Sequence, residues 1–417
     1  MTTRRAGRPR PVPLGSPYWK LWASSGFSNL ADGVFTIVLP LLAIQLTQSP
    51  PLIAGLVVAA RLPWLVFALT AGALADRLDR RKLMLVANLV RAILLLGLVA
   101  VMVLGINSIW ALYCVAFLVG VSETIYDTSA QSILPQLVQR EQLSRANGRL
   151  YAVELTANQF VGPPLGGLLM AVGVIAGFAV PAALWLIAVG VLLVVPGRFR
   201  IDRENKTTLR GDIAEGLRFL LSQNILRTLA VMTGMFNFAS SAAFALLVLF
   251  AVGPTSQMGL SGVGYGLLLT TSALGAFLGS LLADRLETRL GRSRALTITI
   301  VGVAVFVGAP AVTDNPFILG PIFFIGGLLI VLWNVITVSL RQRITPNKLL
   351  GRVNSVYRLL AWGTMPIGAT AGGLLAHWLG LQAMFGIMGL LTLGLLALMP
   401  LLTDAALDAA DTSAPTT

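Results

Sequence analysis

Leu74-Ala75-Asp76-Arg77-Leu78 recurs 208 residues later as Leu282-Ala283-Asp284-Arg285-Leu286. A charged pentapeptide that closes a long apolar run, and does so twice, marks one turn of one unit met in two copies. Two further pairs follow at nearly the same offset, 207 and 206 residues. Arg145-Ala146-Asn147 returns as Arg352-Val353-Asn354, and Gly166-Gly167-Leu168-Leu169 returns as Gly372-Gly373-Leu374-Leu375. The chain therefore reads as two copies of one half, and two membrane-embedded halves of similar pattern are the usual plan of a secondary transporter.

The composition places those halves in lipid. Of 417 residues, 56% are apolar and only 11% charged, against roughly 25% charged in soluble globular proteins. A soluble fold has too few charges here to face twelve long apolar helices to water. Backbone groups in lipid must bond internally, so the spans are helices or a closed barrel. The runs are continuously apolar rather than alternating, which selects helices. The expected architecture is an all-α membrane protein with twelve transmembrane helices, at 20–46, 52–75, 83–105, 108–134, 149–171, 174–196, 226–252, 260–283, 293–312, 315–340, 353–376 and 380–402.

Basic segments follow spans two, four, six, eight and ten, whereas the opposite loops are nearly uncharged apart from Asp314. Lys and Arg bias in short loops sets orientation, so the basic side and both termini are expected in the cytoplasm. The division that follows is a disordered basic tail over 1–17, a six-helix half over 18–196, a cytoplasmic linker over 197–225, a second half over 226–402 and a disordered tail over 403–417. Within the linker, Leu209, Ile213, Gly216, Leu217 and Leu220 share a helical period and predict an amphipathic helix along the membrane surface.

The net charge of +13 raises the question of nucleic acid. Twenty-seven of the 30 Lys and Arg lie in the chain ends and alternate loops and form no stripe or known binding motif, so no nucleic-acid partner is expected. A lone Cys114 and a lone His377 supply neither a disulfide framework nor a metal cluster. There is no Gly-rich nucleotide loop ending in Gly-Lys-Ser/Thr and no hydrolase or metalloprotease motif. No enzyme activity, cofactor or metal is expected, and the energy for transport must come from an ion gradient or from the solute gradient itself.

At the loop after span two, Gly72-Ala73-Leu74-Ala75-Asp76-Arg77-Leu78-Asp79-Arg80-Arg81-Lys82 resembles the loop 2–3 signature of the major facilitator superfamily, with Asp79 where a second Gly is usual. A partial copy spans 280–292, and Glu215-Gly216-Leu217-Arg218-Phe219-Leu220 is similar to the linker of the twelve-span drug-efflux branch, which includes macrolide and enterobactin exporters. The resemblance covers nearly the whole chain. It implies the major-facilitator fold of two pseudo-symmetric six-helix halves. It also implies a conformational latch in which Gly72, Asp76, Arg80, Asp127 and the second-copy Asp284 take part, with Asp76, Arg80 and Asp127 forming a charge network in the outward-open state. Gly162-Pro163-Pro164-Leu165-Gly166-Gly167 matches the Gly-Pro-x-x-Gly-Gly core of the superfamily's antiporter motif, with Asn158 where an upstream Gly is sometimes found. The residues themselves predict a kink near Pro163 and, at Gly162, Gly166 and Gly167, close approach of a neighbouring helix. Plain packing glycines without bearing on direction are the competing reading.

Charged side chains inside spans are costly and are functional candidates by default. Asp32 lies near the middle of span one, Glu123 in the inner third of span four and Glu154 about one turn into span five; these are the candidates for proton coupling. The competing reading is that they pair with the buried Arg61 and Arg91 and hold helices together. A cavity for an amphiphile should be apolar and aromatic with few polar anchors. Asn29, Phe35, Arg61, Trp64, Phe160, Phe238, Trp333, Asn334, Arg358 and Trp362 are its candidate lining. The expected function is export of hydrophobic or amphiphilic compounds by proton antiport and alternating access, in a bacterial inner membrane and by a monomer. The alternatives are a dedicated exporter of a siderophore or other metabolite, and a lipid-handling or non-transporting scaffold. The charge of the substrate is left open.

Overall fold

The computed structural model describes residues 13–412 apart from 107, 140, 141, 198, 200–208, 254, 255, 347 and 348. Within helices, side chains are described except at 68, 69, 72, 73, 75–77, 144, 209–213, 351, 411 and 412. The first half contains α1 (Ser16–Leu46), α2 (Pro50–Arg77), α3 (Arg80–Val103), α4 (Ile109–Ile133), α5 (Leu143–Leu155), α6 (Gly162–Val172) and α7 (Val174–Leu193). After α8 (Leu209–Ser222) the second half contains α9 (Asn224–Ala251), α10 (Gly262–Leu290), α11 (Arg292–Gly308), α12 (Pro316–Ile344), α13 (Leu350–Leu379) and α14 (Leu381–Leu393). The last of these runs on as a tighter 3-10 helix over Gly394–Leu401, and α15 (Asp404–Thr412) follows.

Among the described residues, eleven helices are long and apolar enough to cross a membrane. The remaining span is the fifth, which runs from α5 through a π turn at Thr156–Val161 into α6. Its break has a local cause. Pro163 and Pro164 have no amide hydrogen, so the carbonyls four residues earlier lose their α-helical donors. The Gly162 N–H instead reaches back five residues to the Ala157 carbonyl. The irregularity therefore lies in the turn before Pro163, one turn earlier than the proline positions alone suggest. π turns of this kind concentrate at functional sites.

The fold has a basic end, with the loops after α2, α4, α7, α10 and α12, and a plain end, with the loops after α1, α3, α6, α9, α11 and α13. The segment after residue 403 and the linker helix carry more tertiary contact than their composition suggests. The segment after residue 403, expected to be a disordered tail, forms α15. Its Asp404 carboxylate accepts from the Ser293 N–H at the start of α11, 2.8 Å away, and Asp408 lies 3.4 Å from Arg292. A carboxylate at free helix donors is favourable, which is why the short helix docks there. The linker helix α8 packs on the second half. Its Gly216 sits against the Arg352 backbone, Glu215 pairs with Arg352, and Leu220 is buried. Its apolar face is thus directed at α13.

The first half is tied down in the corresponding place. Asp79 caps α3 by accepting from the Lys82 N–H, and it also accepts from the Phe199 N–H, both at 3.2 Å. The Arg80 N–H returns a bond to the Phe199 carbonyl, and Arg81 donates to the carbonyls of Leu192 and Leu193 at the end of α7. Each signature loop is therefore strapped by the segment that leaves its own half.

Candidate functional site

Three glycines in the fifth span set the helix spacing around the passage. A Cβ on Gly162 would stand 2.6 Å from the Gly33 Cα on α1, and one on Gly166 would stand 3.0 Å from the Val34 carbonyl oxygen. Gly33 in turn faces the backbone of Asn158, whose Cα would lie 2.8 Å from a Cβ at Gly33. The small residue that Asn158 does not supply is thus supplied by α1. Gly167 faces the other half. A Cβ there would be 2.6 Å from the Gly262 carbonyl carbon and 2.8 Å from the Val263 nitrogen at the start of α10.

The second half repeats this arrangement. Gly368 and Gly372 pack against Phe238 and Ala242 of α9, and Gly373 meets Pro50, Pro51 and Ala54 at the start of α2. Both pairs of inter-half contacts lie at the plain end, where α6 meets α10 and α13 meets α2. Towards mid-depth the halves touch through rings: Trp64 against Trp362 at 5.6 Å and Phe160 against Phe277 at 6.2 Å. The structure is therefore sealed at the plain end by backbone-to-backbone contact.

Next to the Gly33 crossing lies a buried ion pair. Arg91 on α3 is fully buried and its Nη1 is 3.2 Å from Asp32 Oδ1, whose side chain is 12% exposed. The same nitrogen lies 3.4 Å from Asn88 Oδ1, which also accepts from the Ser28 hydroxyl at 3.1 Å. The guanidinium sits over the Tyr126 ring at 5.1 Å and the Trp185 ring at 5.5 Å. A buried charge is tolerated only when paired and surrounded by polar or aromatic partners, and this one has both. Ser28 and Asn88, one turn before Asp32 and Arg91 on their helices, were not among the sequence candidates. The visible signal for them was a polar residue in helical register with each charge.

The other sequence candidates separate into interior and interface groups. Asn29 is buried and donates to the carbonyl and hydroxyl of Ser25, within α1. Phe35 is buried against Trp185 in the first half. Trp333 is buried in the second half, where its indole donates to Thr233 at 3.0 Å. Thr233 also bonds Tyr357 at 2.7 Å, and Arg341 lies 4.0 Å over the Tyr357 ring with Nε on Asn354 Oδ1 at 2.7 Å. Phe238 is half-buried, and Asn334, Asp284 and Glu154 are exposed. Arg61 and Arg358 are exposed, and Arg358 stacks on Trp362 at 4.4 Å.

Glu123 and Asp127, one turn apart on α4, are half-buried and make no ion pair among the described residues. Arg80 is buried at the start of α3. The latch residues Gly72 and Asp76 lie in the last turns of α2, and their surroundings fall outside the described residues. Among the described residues no group of three or more His, Cys, Asp or Glu is placed to hold a metal ion.

Two six-helix halves, related by the same glycine contacts and closed on each other at one end, define a secondary transporter of the major facilitator class. A family model described as a transmembrane secretion effector matches residues 12–416, and the chain belongs to that family. It is 26% identical to the uncharacterized MFS-type transporter YfiS of Bacillus subtilis (91% of this chain, 92% of the relative). It is 26% identical to the enterobactin exporter EntS of Shigella boydii (90% and 89%) and 28% identical to that of Salmonella typhi (80% and 80%). Among solved structures, the nucleoside transporter NupG aligns with a TM-score of 0.72 at 13% identity, covering 95% of this chain and 99% of its own. A bacterial homologue of the iron transporter ferroportin in the inward-facing state aligns at 0.69 and 15%, covering 96% and 100%. These structural likenesses concern the fold. The protein is embedded in the bilayer and moves a small solute across it.

Proposed function

We propose that the chain is a proton-coupled exporter dedicated to a metabolite of the siderophore type, acting by alternating access in a bacterial inner membrane with both termini in the cytoplasm. Relatives named as enterobactin exporters align along four-fifths or more of the chain, which favours a dedicated metabolite over broad drug efflux. The observation that carries the coupling is the Asp32–Arg91 pair at 3.2 Å, one residue from the Gly33–Gly162 crossing.

A proton arriving at Asp32 removes the counter-charge of a fully buried guanidinium. Breaking a buried pair in this way costs about 3–5 kcal/mol, which is enough to drive rearrangement of α1 against the fifth span. Loss of the proton restores the pair. Glu123 and Glu154 are the next proton acceptors in this reading. The latch of Asp76, Arg80 and Asp127 operates in the conformer closed at the basic end.

The test uses purified protein in vesicles with an imposed pH gradient and a panel that contains catecholate and hydroxamate siderophores alongside cationic drugs. Siderophore-dependent proton flux, abolished in Asp32→Asn, is the expected result. Equal flux with the drugs would return the assignment to multidrug efflux, and unchanged flux in Asp32→Asn would remove Asp32 from coupling.

A further inference from the structure

Charges inside the spans are divided unevenly between the halves. The carboxylates Asp32, Glu123, Asp127 and Glu154 are all in the first half, on α1, α4 and α5. In the second half the charge well inside a span is an arginine, Arg358. Arg91 has its carboxylate. Arg358 on α13 and Arg61 on α2 make no hydrogen bond or ion pair among the described residues.

Both arginines are two turns or more inside their helices. Arg358 follows the start of α13 by eight residues, about 12 Å along its axis. A guanidinium at that depth does not face hydrocarbon and requires water or an anion. Both flank one aromatic bridge. Trp362 is one turn beyond Arg358 and Trp64 one turn beyond Arg61, and the two indoles meet edge to face across the boundary between the halves at 5.6 Å. Trp362 nonetheless remains 42% exposed.

Stacking on Trp362 occupies the flat face of the Arg358 guanidinium. Its N–H edges, which lie in the plane of the group, stay available for a planar, two-oxygen acceptor. An exposed indole beside them offers an apolar contact for an aromatic body.

We propose that Arg358, set beside the Trp64–Trp362 bridge, binds the acidic group of the exported compound, and that this compound is an organic anion with an aromatic or otherwise apolar body. The assignment rests on the export reading above and supplies the substrate charge. An anionic lipid headgroup presents similar oxygens, and Asp127 of α4, already near enough to Arg358 for their charges to interact, could close on it in another conformer. Both are outcomes of the test below.

Full-length protein in phosphatidylcholine nanodiscs is dialysed to equilibrium against two matched radiolabelled probes, 2-naphthalenesulfonate and 2-naphthyltrimethylammonium, with empty nanodiscs subtracted. Saturable binding of the sulfonate should exceed that of the ammonium. Arg358→Gln should weaken sulfonate binding about tenfold or more, the scale of one lost charge-assisted bond, Arg358→Lys should recover part of it, and the ammonium should bind Arg358→Gln no more weakly than wild type. Wild-type affinity in Arg358→Gln, no saturable sulfonate binding, or preference for the ammonium overturns the assignment. Loss of sulfonate binding when phosphatidylglycerol is included assigns Arg358 to a lipid headgroup and also overturns it. Recovery of sulfonate binding when Asp127→Asn is added to Arg358→Gln would make Arg358 a partner of α4 and overturn it as well. The two readings fail separately: charge-selective binding without any pH-driven flux would leave the site and remove export, whereas pH-driven flux indifferent to probe charge would leave export and remove the site.

Discussion

Gly167→Ala tests whether the plain end closes by backbone contact. The added Cβ would stand 2.6 Å from the Gly262 carbonyl carbon and 2.8 Å from the Val263 nitrogen. Carbon atoms pack at about 3.5–4.0 Å, so α6 and α10 must part by about 1 Å. No side chain can rotate to relieve the overlap, because both obstructing atoms are main chain. Overpacking of this kind costs about 1–3 kcal/mol, and only the conformer sealed at the plain end bears it. The sealed-to-open ratio should fall about 5- to 150-fold. The readout is a cysteine placed at Leu41, which is 3% exposed and touches the Gly262 position, in a background lacking the exposed Cys114. An impermeant maleimide should label this site much faster in Gly167→Ala than in wild type, and transport should slow. Gly97→Ala is the control, since nothing lies within 4 Å of a Cβ there. Equal labelling and equal transport in the two variants would refute the seam as the closing element.

Asp32→Asn leaves Arg91 buried without its counter-charge and should cost about 3–5 kcal/mol, seen as a lower melting temperature of the solubilised protein; the double variant Asp32→Asn/Arg91→Gln should recover much of the loss, and an unmoved single variant would contradict the pair. Asp404→Ala removes the acceptor at the start of α11 and should cost about 0.5–2 kcal/mol, read as faster protease release of the C-terminal segment with the rest of the chain intact. Glu215→Gln breaks a pair whose side chains are 52% and 32% exposed; the expected loss is below about 1 kcal/mol, and a larger drop in melting would assign α8 a structural weight that its exposure argues against.

The repeat, the spans and the close-packing glycines could be read from the chain because each is a local pattern. Gly162, Gly166 and Gly167 have helical spacing and no other use for a missing side chain. Their division of labour could not be read, since which glycine faces α1 and which faces α10 depends on where two distant helices lie. The π turn also escaped the sequence reading. Two adjacent prolines predict a disturbance, but its placement at Thr156–Val161 coincides with the contact between Asn158 and Gly33. Asp32 meets Arg91 inside the first half, the pairing that stood beside proton coupling as the competing reading of the sequence. Phe35 and Trp333, equally aromatic and apolar to a sequence reading, are core residues because their rings find Trp185 and Phe236. The tail after residue 403 looked unstructured because its stabilising contacts, Asp404 on the start of α11 and Asp408 on Arg292, are with a helix more than a hundred positions away.

The plain-end seam consists of uncharged main chain, whereas the basic end is strapped by carboxylates and guanidiniums at Asp79, Asp404, Asp408 and Arg352. Ionic strength reaches only the second set, because mobile ions weaken exposed charge pairs and leave van der Waals contact untouched. A rise in ionic strength at the basic end would therefore loosen the hold of each half on its own signature loop while leaving the seam at the opposite end unchanged.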